Sequence, residues 1–254
     1  MPLPRITFLT FLLTISWGLN AFTEKVDSNP YQKPKIAIVI DDLGDNSIIA
    51  RKIIALPAKL TLGILPKTPH SNLIAKLAYE KGHEIILHLP MEAYTRPDLL
   101  GPGALYSNMD YSTFQKVLRD DISSIPYISG FNNHMGSLLT EDSEKMEWVM
   151  EEITNHSLYF LDSKTSEQSI AENIAIKKGI PSISRDVFLD HSTSTNDMML
   201  QLKHLKFIAK RNGQAVLICH PYPETLIFLK NTLKTLSYEY KLVTLSQLLN
   251  TRHN

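Results

Sequence analysis

The sequence predicts an α/β fold: an irregular (β/α) barrel of seven or eight parallel strands. Three observations lead there. Short apolar runs alternate with amphipathic stretches about eight times between Lys35 and Asn250, with no internal repeat. The runs are rich in β-branched residues and uninterrupted by polar ones, as in strands buried on both faces. Asp41, Asp42, His88, His134, Asp162, Arg185, Asp186 and His220 all sit where such runs end. A barrel gathers the C-terminal ends of its strands on one face, where active sites lie, whereas an open sheet would spread these residues along an edge.

The elements follow in order. A strand over 36–40 runs into Asp41-Asp42, and Gly44 lets the chain turn. Residues 47–55 have a helical pattern, and 60–65 (L-T-L-G-I-L) form a second strand stopped by Pro66. Helix 71–81 is followed by Gly82, well placed to close it. Strand 84–87 delivers His88. The polar stretch 90–110, containing Gly101-Pro102-Gly103, is a loop of the length that usually serves function. Helix 112–124 precedes strand 127–131, which delivers Asn132-Asn133-His134. Helix 141–155 leads to strand 158–161 and Asp162, and helix 167–178 to strand 180–184 and Arg185-Asp186. The longest helix, 195–212, ends at Gly213 before strand 215–219 and His220. Helix 224–235, a strand over 242–245 and a turn of helix over 246–250 complete the domain, 35–250.

Composition excludes several classes. Hydrophobic residues are 43% and charged residues 20%, as in ordinary globular proteins. Lys+Arg and Asp+Glu are both 26, so no basic field points to nucleic acid. Arg5 precedes an apolar run over 6–19, then Asn20-Ala21, the features of a secretory signal peptide. Cleavage is expected after Ala21, with residues 22–34 as a linker and the protein exported to the periplasm or cell envelope. An uncleaved anchor is the alternative, and only then is membrane contact expected. Cys219 is the sole cysteine, so no intrachain disulfide forms and stability must come from the core.

Two adjacent carboxylates after a buried strand are costly unless one is protonated, paired or metal-bound. A lone Asp there would read as a helix N-cap. Two neutral imidazoles and one carboxylate make a catalytic zinc site with a position left for water. Such an ion activates water and polarises a carbonyl. Asp41, Asp42, His88 and His134 therefore divide into one base and three ligands, with His220 left as an acid.

Taken together, I-D-D-L-G, G-H-E-I-I-L-H, N-N-H-M-G-S, F-L-D-S-K-T, R-D-V-F-L-D and I-C-H-P-Y-P resemble the divergent polysaccharide deacetylase family, related to NodB-type carbohydrate esterases. The resemblance spans 35–249. It implies a NodB-like fold, zinc or a similar divalent metal, and a polysaccharide substrate, peptidoglycan-like or chitin-like. It also implies Asp41 as general base, Asp42 and His88 as ligands, and His220 as the acid that protonates the leaving amine. The parent H-(S/T)-x-x-H motif would put its second His at 92, where this chain has Glu92. Either Glu92 replaces that ligand or His134 does; Pro90, between His88 and Glu92, favours His134. The parent's orienting Arg and Asp have no clean match. By position, Asp162 or Asp186 would fix the imidazole tautomer and Arg185 would keep Asp41 ionised. The function expected is metal-dependent removal of acetyl groups from an N-acetylated polysaccharide. The departure at Glu92 motivates an alternative, a non-catalytic envelope protein that binds glycan or a cell-wall enzyme.

Overall fold

The structure, a computed structural model, describes residues 32–250. The expected signal segment, 1–21, and the expected linker as far as residue 31 lie outside the described residues. Nine strands form one sheet: β1 (Lys35–Leu43), β2 (Thr61–Ile64), β3 (Glu84–Met91), β4 (Ile128–Met135), β5 (Tyr159–Asp162), β6 (Ser182–Ser184), β7 (Val187–Phe188), β8 (Gln214–Cys219) and β9 (Lys241–Val243). Eight α-helices connect or follow them: α1 (Ser47–Ile54), α2 (Ser71–Glu80), α3 (Tyr111–Ser124), α4 (Ser143–Thr154), α5 (Ala171–Lys177), α6 (Thr195–Asn212), α7 (Pro223–Glu239) and α8 (Leu245–Leu249). Among the described residues, no helix is long and apolar enough to cross a membrane.

The strand order is β6-β5-β4-β3-β2-β1-β8-β7, with β9 beside the start of β1, and the pairings are parallel. From β1 to β6 each strand lies next to its predecessor, always advancing in one direction. Right-handed crossovers then place α1 to α5 on a single face. The other face can be covered only if the sheet rolls onto itself.

The rolling is visible at the sheet's two ends. β6 and β7 end the strand order, yet only Arg185 and Asp186 separate them in sequence. Three steps of 3.8 Å between successive Cα atoms reach about 11 Å at most, so the edges nearly meet. The same two residues bridge the seam. Arg185 N–H donates to Asp162 O on β5 at 3.0 Å, and Asp186 N–H donates to Val216 O on β8 at 3.0 Å.

Side chains alternate across each strand. Ile36, Ile38 and Ile40 of β1 pack outward with the helices, while Ala37 and Val39 join the inner core with Val216, Ile218, Leu161 and Ile183. Leu245, Leu248 and Leu249 of α8 belong to the inner core and plug it from below. The plug is tied by Glu84, whose Oε2 accepts from Leu245 N at 2.9 Å and Thr61 Oγ1 at 2.7 Å.

The strands run further than the apolar runs. β1 continues through Asp41 and Asp42, and β3 and β4 stay paired through His88↔Asn132 and Pro90↔His134. Hydrophobicity marks where a strand is buried in apolar surroundings, while the backbone of a polar residue pairs equally well. β7 was not expected, being only two residues long, and α7 extends past the expected 235 to Glu239.

Above the barrel, Lys67 Nζ lies 2.6 Å from Asp121 Oδ1 on α3, and Asp121 is fully buried. Burial pushes the Asp121 carboxyl up to about 7, against the pull of Lys67. Its proton is therefore held more tightly in the folded state than in the unfolded one. This contribution to stability is complete below the ordinary carboxylate range and is lost as pH rises toward 7. Urea unfolding of wild type and Asp121→Asn across pH 4–7 should show the wild-type advantage shrinking steadily with rising pH; a pH-independent difference would contradict the assignment.

Candidate metal centre

Alternation determines which strand-end residues face the barrel's interior. On β3, Ile86 faces in, and so does His88; on β8, Val216 and Ile218 face in, and so does His220. Asn132 and His134 share one face of β4, opposite Phe131, which packs in the outer core. Asp41 continues the inward series of Ala37 and Val39. Asp42 has the wrong parity, but its φ of 56° and a register shift between Ile40 and Leu43 turn it back toward the site. A non-glycine residue in this region costs energy that the surrounding structure must offset, a situation concentrated at functional sites.

Three of these side chains converge. Asp42 Oδ1 is 3.1 Å from His88 Nε2 and 3.0 Å from His134 Nδ1, and those two nitrogens are 3.1 Å apart. The hydrogen bonds behind them fix the tautomers. Asn132 Nδ2 donates to Asp41 Oδ2 at 2.8 Å and to Ser163 Oγ at 3.1 Å, so its carbonyl oxygen faces His88 and accepts from Nδ1–H at 2.8 Å. His134 Nε2 lies 3.1 Å from Leu99 O, which can only accept. In both neutral rings, then, the unprotonated nitrogen points into the triangle.

This donor set suits a metal. Asp42 Oδ1 is buried with no hydrogen-bond donor. Two imidazole lone pairs and a carboxylate oxygen repel one another unless a cation or a proton lies among them. Ligands about 2.0–2.1 Å from a tetrahedral zinc sit about 3.3 Å from one another, close to the spacing here. Burial opposes charge on His88, yet Asp41, Asp42 and Asn132 outweigh it and push its pKa up to about 9. Burial likewise opposes charge on Asp42, and the two imidazoles override it, holding the carboxyl well below the usual range.

Asp41 and His220 border this centre. Burial pushes the Asp41 carboxyl upward, while His88 and His220 restrain the rise. Gly63 leaves it room: a Cβ there would stand 2.1 Å from Asp41 Oδ1. His220 Nδ1 lies 3.0 Å from Asp190 Oδ1, while Asp190 Oδ2 accepts from His220 N and Thr225 Oγ1, each at 2.7 Å. Burial would lower the His220 pKa, but the Asp190 bond and the charges of Asp42 and Asp190 raise it.

The expected orienting groups are corrected. Asp162 shares the outward parity of Phe160; it accepts from Lys164 N at 2.8 Å and Ser169 Oγ at 2.6 Å, shaping the loop after β5. Asp186 accepts from Val216 N at 2.8 Å across the seam. The His220 tautomer is fixed by Asp190 instead. Arg185 directs its guanidinium to Ser163 O at 2.7 Å and Lys164 O at 2.8 Å, and the ionisation of Asp41 is set by burial, opposed by His88 and His220. Glu92 binds Ser107 and stands outside the triangle. Asn132, Asp190 and Ser163 had no assigned role in the sequence. Parity was the available signal: Asn132 lies two residues before His134, Ser163 two after Leu161, and Asp190 two after Phe188. Replacing Asn132 with Ala leaves Asp41 and His88 each short of a buried partner. We expect a loss of roughly 2–4 kcal/mol in urea unfolding, and a loss below 1 kcal/mol would show that the amide is dispensable.

Known proteins share the sequence pattern and the fold. The sequence pattern of the family described as divergent polysaccharide deacetylase matches residues 38–249. An uncharacterized Escherichia coli protein, YibQ, is 35% identical over 223 residues, covering 88% of this chain and 70% of its own. The crystal structure of an uncharacterized Agrobacterium tumefaciens protein, ATU2773, superposes with a TM-score of 0.81 at 27% identity, covering 86% of this chain and 90% of that one. The catalytic domain of a Eubacterium rectale peptidoglycan N-acetylglucosamine deacetylase shares the fold, with a TM-score of 0.50 at 12% identity over 85% of this chain and 90% of that one. The chain therefore belongs to the divergent polysaccharide deacetylase family, with the rolled, deacetylase-like fold of the NodB group.

Proposed function

We propose that the protein is a metal-dependent hydrolase of the cell envelope that removes acetyl groups from an N-acetylated polysaccharide such as peptidoglycan. The observation that carries this reading is the triangle of Asp42 Oδ1, His88 Nε2 and His134 Nδ1, 3.0–3.1 Å from one another, with a buried carboxylate and a carboxylate-backed histidine beside it. Export rests on the N-terminal signal pattern, and the glycan class on the family.

Asp42, His88 and His134 would hold zinc or a similar divalent ion. Such an ion, when bound, polarises the acetyl carbonyl and lowers the pKa of a water. Asp41 is the base that takes a proton from the attacking water; burial raises its pKa and so makes it a stronger base than an exposed carboxylate. Asn132 keeps Asp41 and His88 in fixed relation through one amide. His220, held at Nδ1 by Asp190, delivers a proton from Nε2 to the amine nitrogen as the C–N bond breaks. The products are acetate and a free amine on the sugar.

Acetate release from chitooligosaccharides and peptidoglycan fragments should require added zinc and fall by roughly 10²–10⁴-fold in Asp41→Asn. Well-folded, zinc-loaded protein that releases none would favour a glycan-binding role. Because His220 must be protonated to act, activity should fall as pH rises through its raised pKa. In Asp190→Asn that alkaline limb should move to lower pH; an unmoved limb in the pH–rate profile would remove His220 from the mechanism. Gly63→Ala should reduce turnover by displacing Asp41 while leaving the protein folded, as circular dichroism would confirm.

A further inference from the structure

We propose that Glu92 is a positioning residue for the metal centre: through Ser107 it closes the loop over 93–106 and so holds the Leu99 carbonyl against His134. The inference rests on the metal-dependent reading above for its consequence, though not for its geometry.

Glu92 follows β3 directly and is tied in three directions. Its Oε2 accepts from both Ser107 N at 2.7 Å and Ser107 Oγ at 2.6 Å. Its backbone N–H donates to Leu105 O at 2.9 Å, and Leu105 N–H donates back to Pro90 O at 2.9 Å. Its carbonyl accepts from Leu138 N at 3.2 Å and Leu139 N at 3.0 Å, in the segment that leaves β4 just after His134. One residue therefore joins the start of the loop, its return and the chain beyond the third ligand.

Leu99 depends on those ties. The residue is 52% exposed, so burial of its own apolar surface does not keep it in place. The loop is held instead by its closed ends, by buried Leu100, and by Gly103 lying against the Asp121 carboxylate, where a Cβ would come within 2.4 Å of Oδ1. From that frame Leu99 O meets His134 Nε2 at 3.1 Å. This bond gives His134 the tautomer whose Nδ1 lone pair faces Asp42 and His88. Without it the imidazole can rotate or exchange tautomers, and the triangle loses one corner. Partners that orient a metal's ligands typically govern metal affinity by 10–100-fold. A carboxylate suits the task because it is an acceptor only and can take both Ser107 donors at once. The position at which the related motif places a histidine ligand thus carries the group that orients a different histidine.

The test uses full-length protein with two readouts: zinc affinity by chelator competition, and imidazole ¹⁵N shifts of His134 in metal-free protein. Wild type should show Nε2–H on His134. Glu92→Ala should weaken zinc binding about 10–100-fold with stoichiometry kept at saturating metal, and should give mixed His134 tautomers. Glu92→Gln, whose carbonyl still accepts from Ser107, should recover most of both properties. If Glu92→Ala is poorly folded, Ser107→Ala, which keeps the backbone donor, should shift both readouts in the same direction by a smaller amount. Unchanged affinity and tautomer in the folded variants would overturn the proposal, as would complete loss of zinc stoichiometry, which would make Glu92 a ligand. Should wild type take up no zinc, the metal-dependent reading fails, and the His134 tautomer in Glu92→Ala still decides this one.

Discussion

The Asn132 amide is the contact on which the site depends. It lies on β4 and links β1 to β3 by donating to Asp41 and accepting from His88. Because an amide has one donor end and one acceptor end, this single group settles two questions together: which nitrogen of His88 is protonated, and which carboxylate oxygen of Asp41 is occupied. A neutral group can do this among charges without adding one of its own. Its second N–H reaches Ser163, the residue after β5, so β1, β3, β4 and the end of β5 are joined across the mouth of the barrel.

Those bonds require a rolled sheet. In a flat sheet, β1 and β4 would stand three strand spacings apart, about 14 Å, beyond the reach of any amide. Rolling directs the inward residues of all strands toward one axis. The lower half of that interior is filled by aliphatic side chains and closed by α8. The upper half is filled by Asp41, His88, Asn132 and His220. The apolar lower layers give the strands stability, which lets the upper layer be polar, charged and locally strained at Asp42 and Met135.

The fold was largely legible because strand and helix alternation is written in hydrophobicity, and the crossover rule leaves few topologies. What was not legible is instructive at particular residues. Asp162 follows an expected strand and was assigned to the site, whereas Asp190 had no assigned role. One faces the helices and one faces the barrel, a difference of a single position that decides between shaping a loop and holding His220. β7, which delivers Asp190, is too short to register as a hydrophobic segment. Asp42 was included despite unfavourable parity, because the paired carboxylates and the family's motif both marked it. Leu99 had no sequence signal at all, since it contributes only a backbone carbonyl.

The placement of β8 beside β1 has a temporal side. β1 is the first strand of the described domain and β8 nearly the last, yet they pair directly, Lys35↔Gln214 through Ile40↔Cys219. During synthesis one edge of β1 must wait, unpaired, for almost the whole domain to emerge. Contacts so distant in sequence are slow to form, and an open apolar edge is where a nascent chain is prone to pair wrongly. Asp41 rides on β1 and His220 directly follows β8. The residues proposed as base and acid therefore come together only when the sheet has closed, and a chain interrupted before Cys219 would carry Asp42, His88 and His134 without His220.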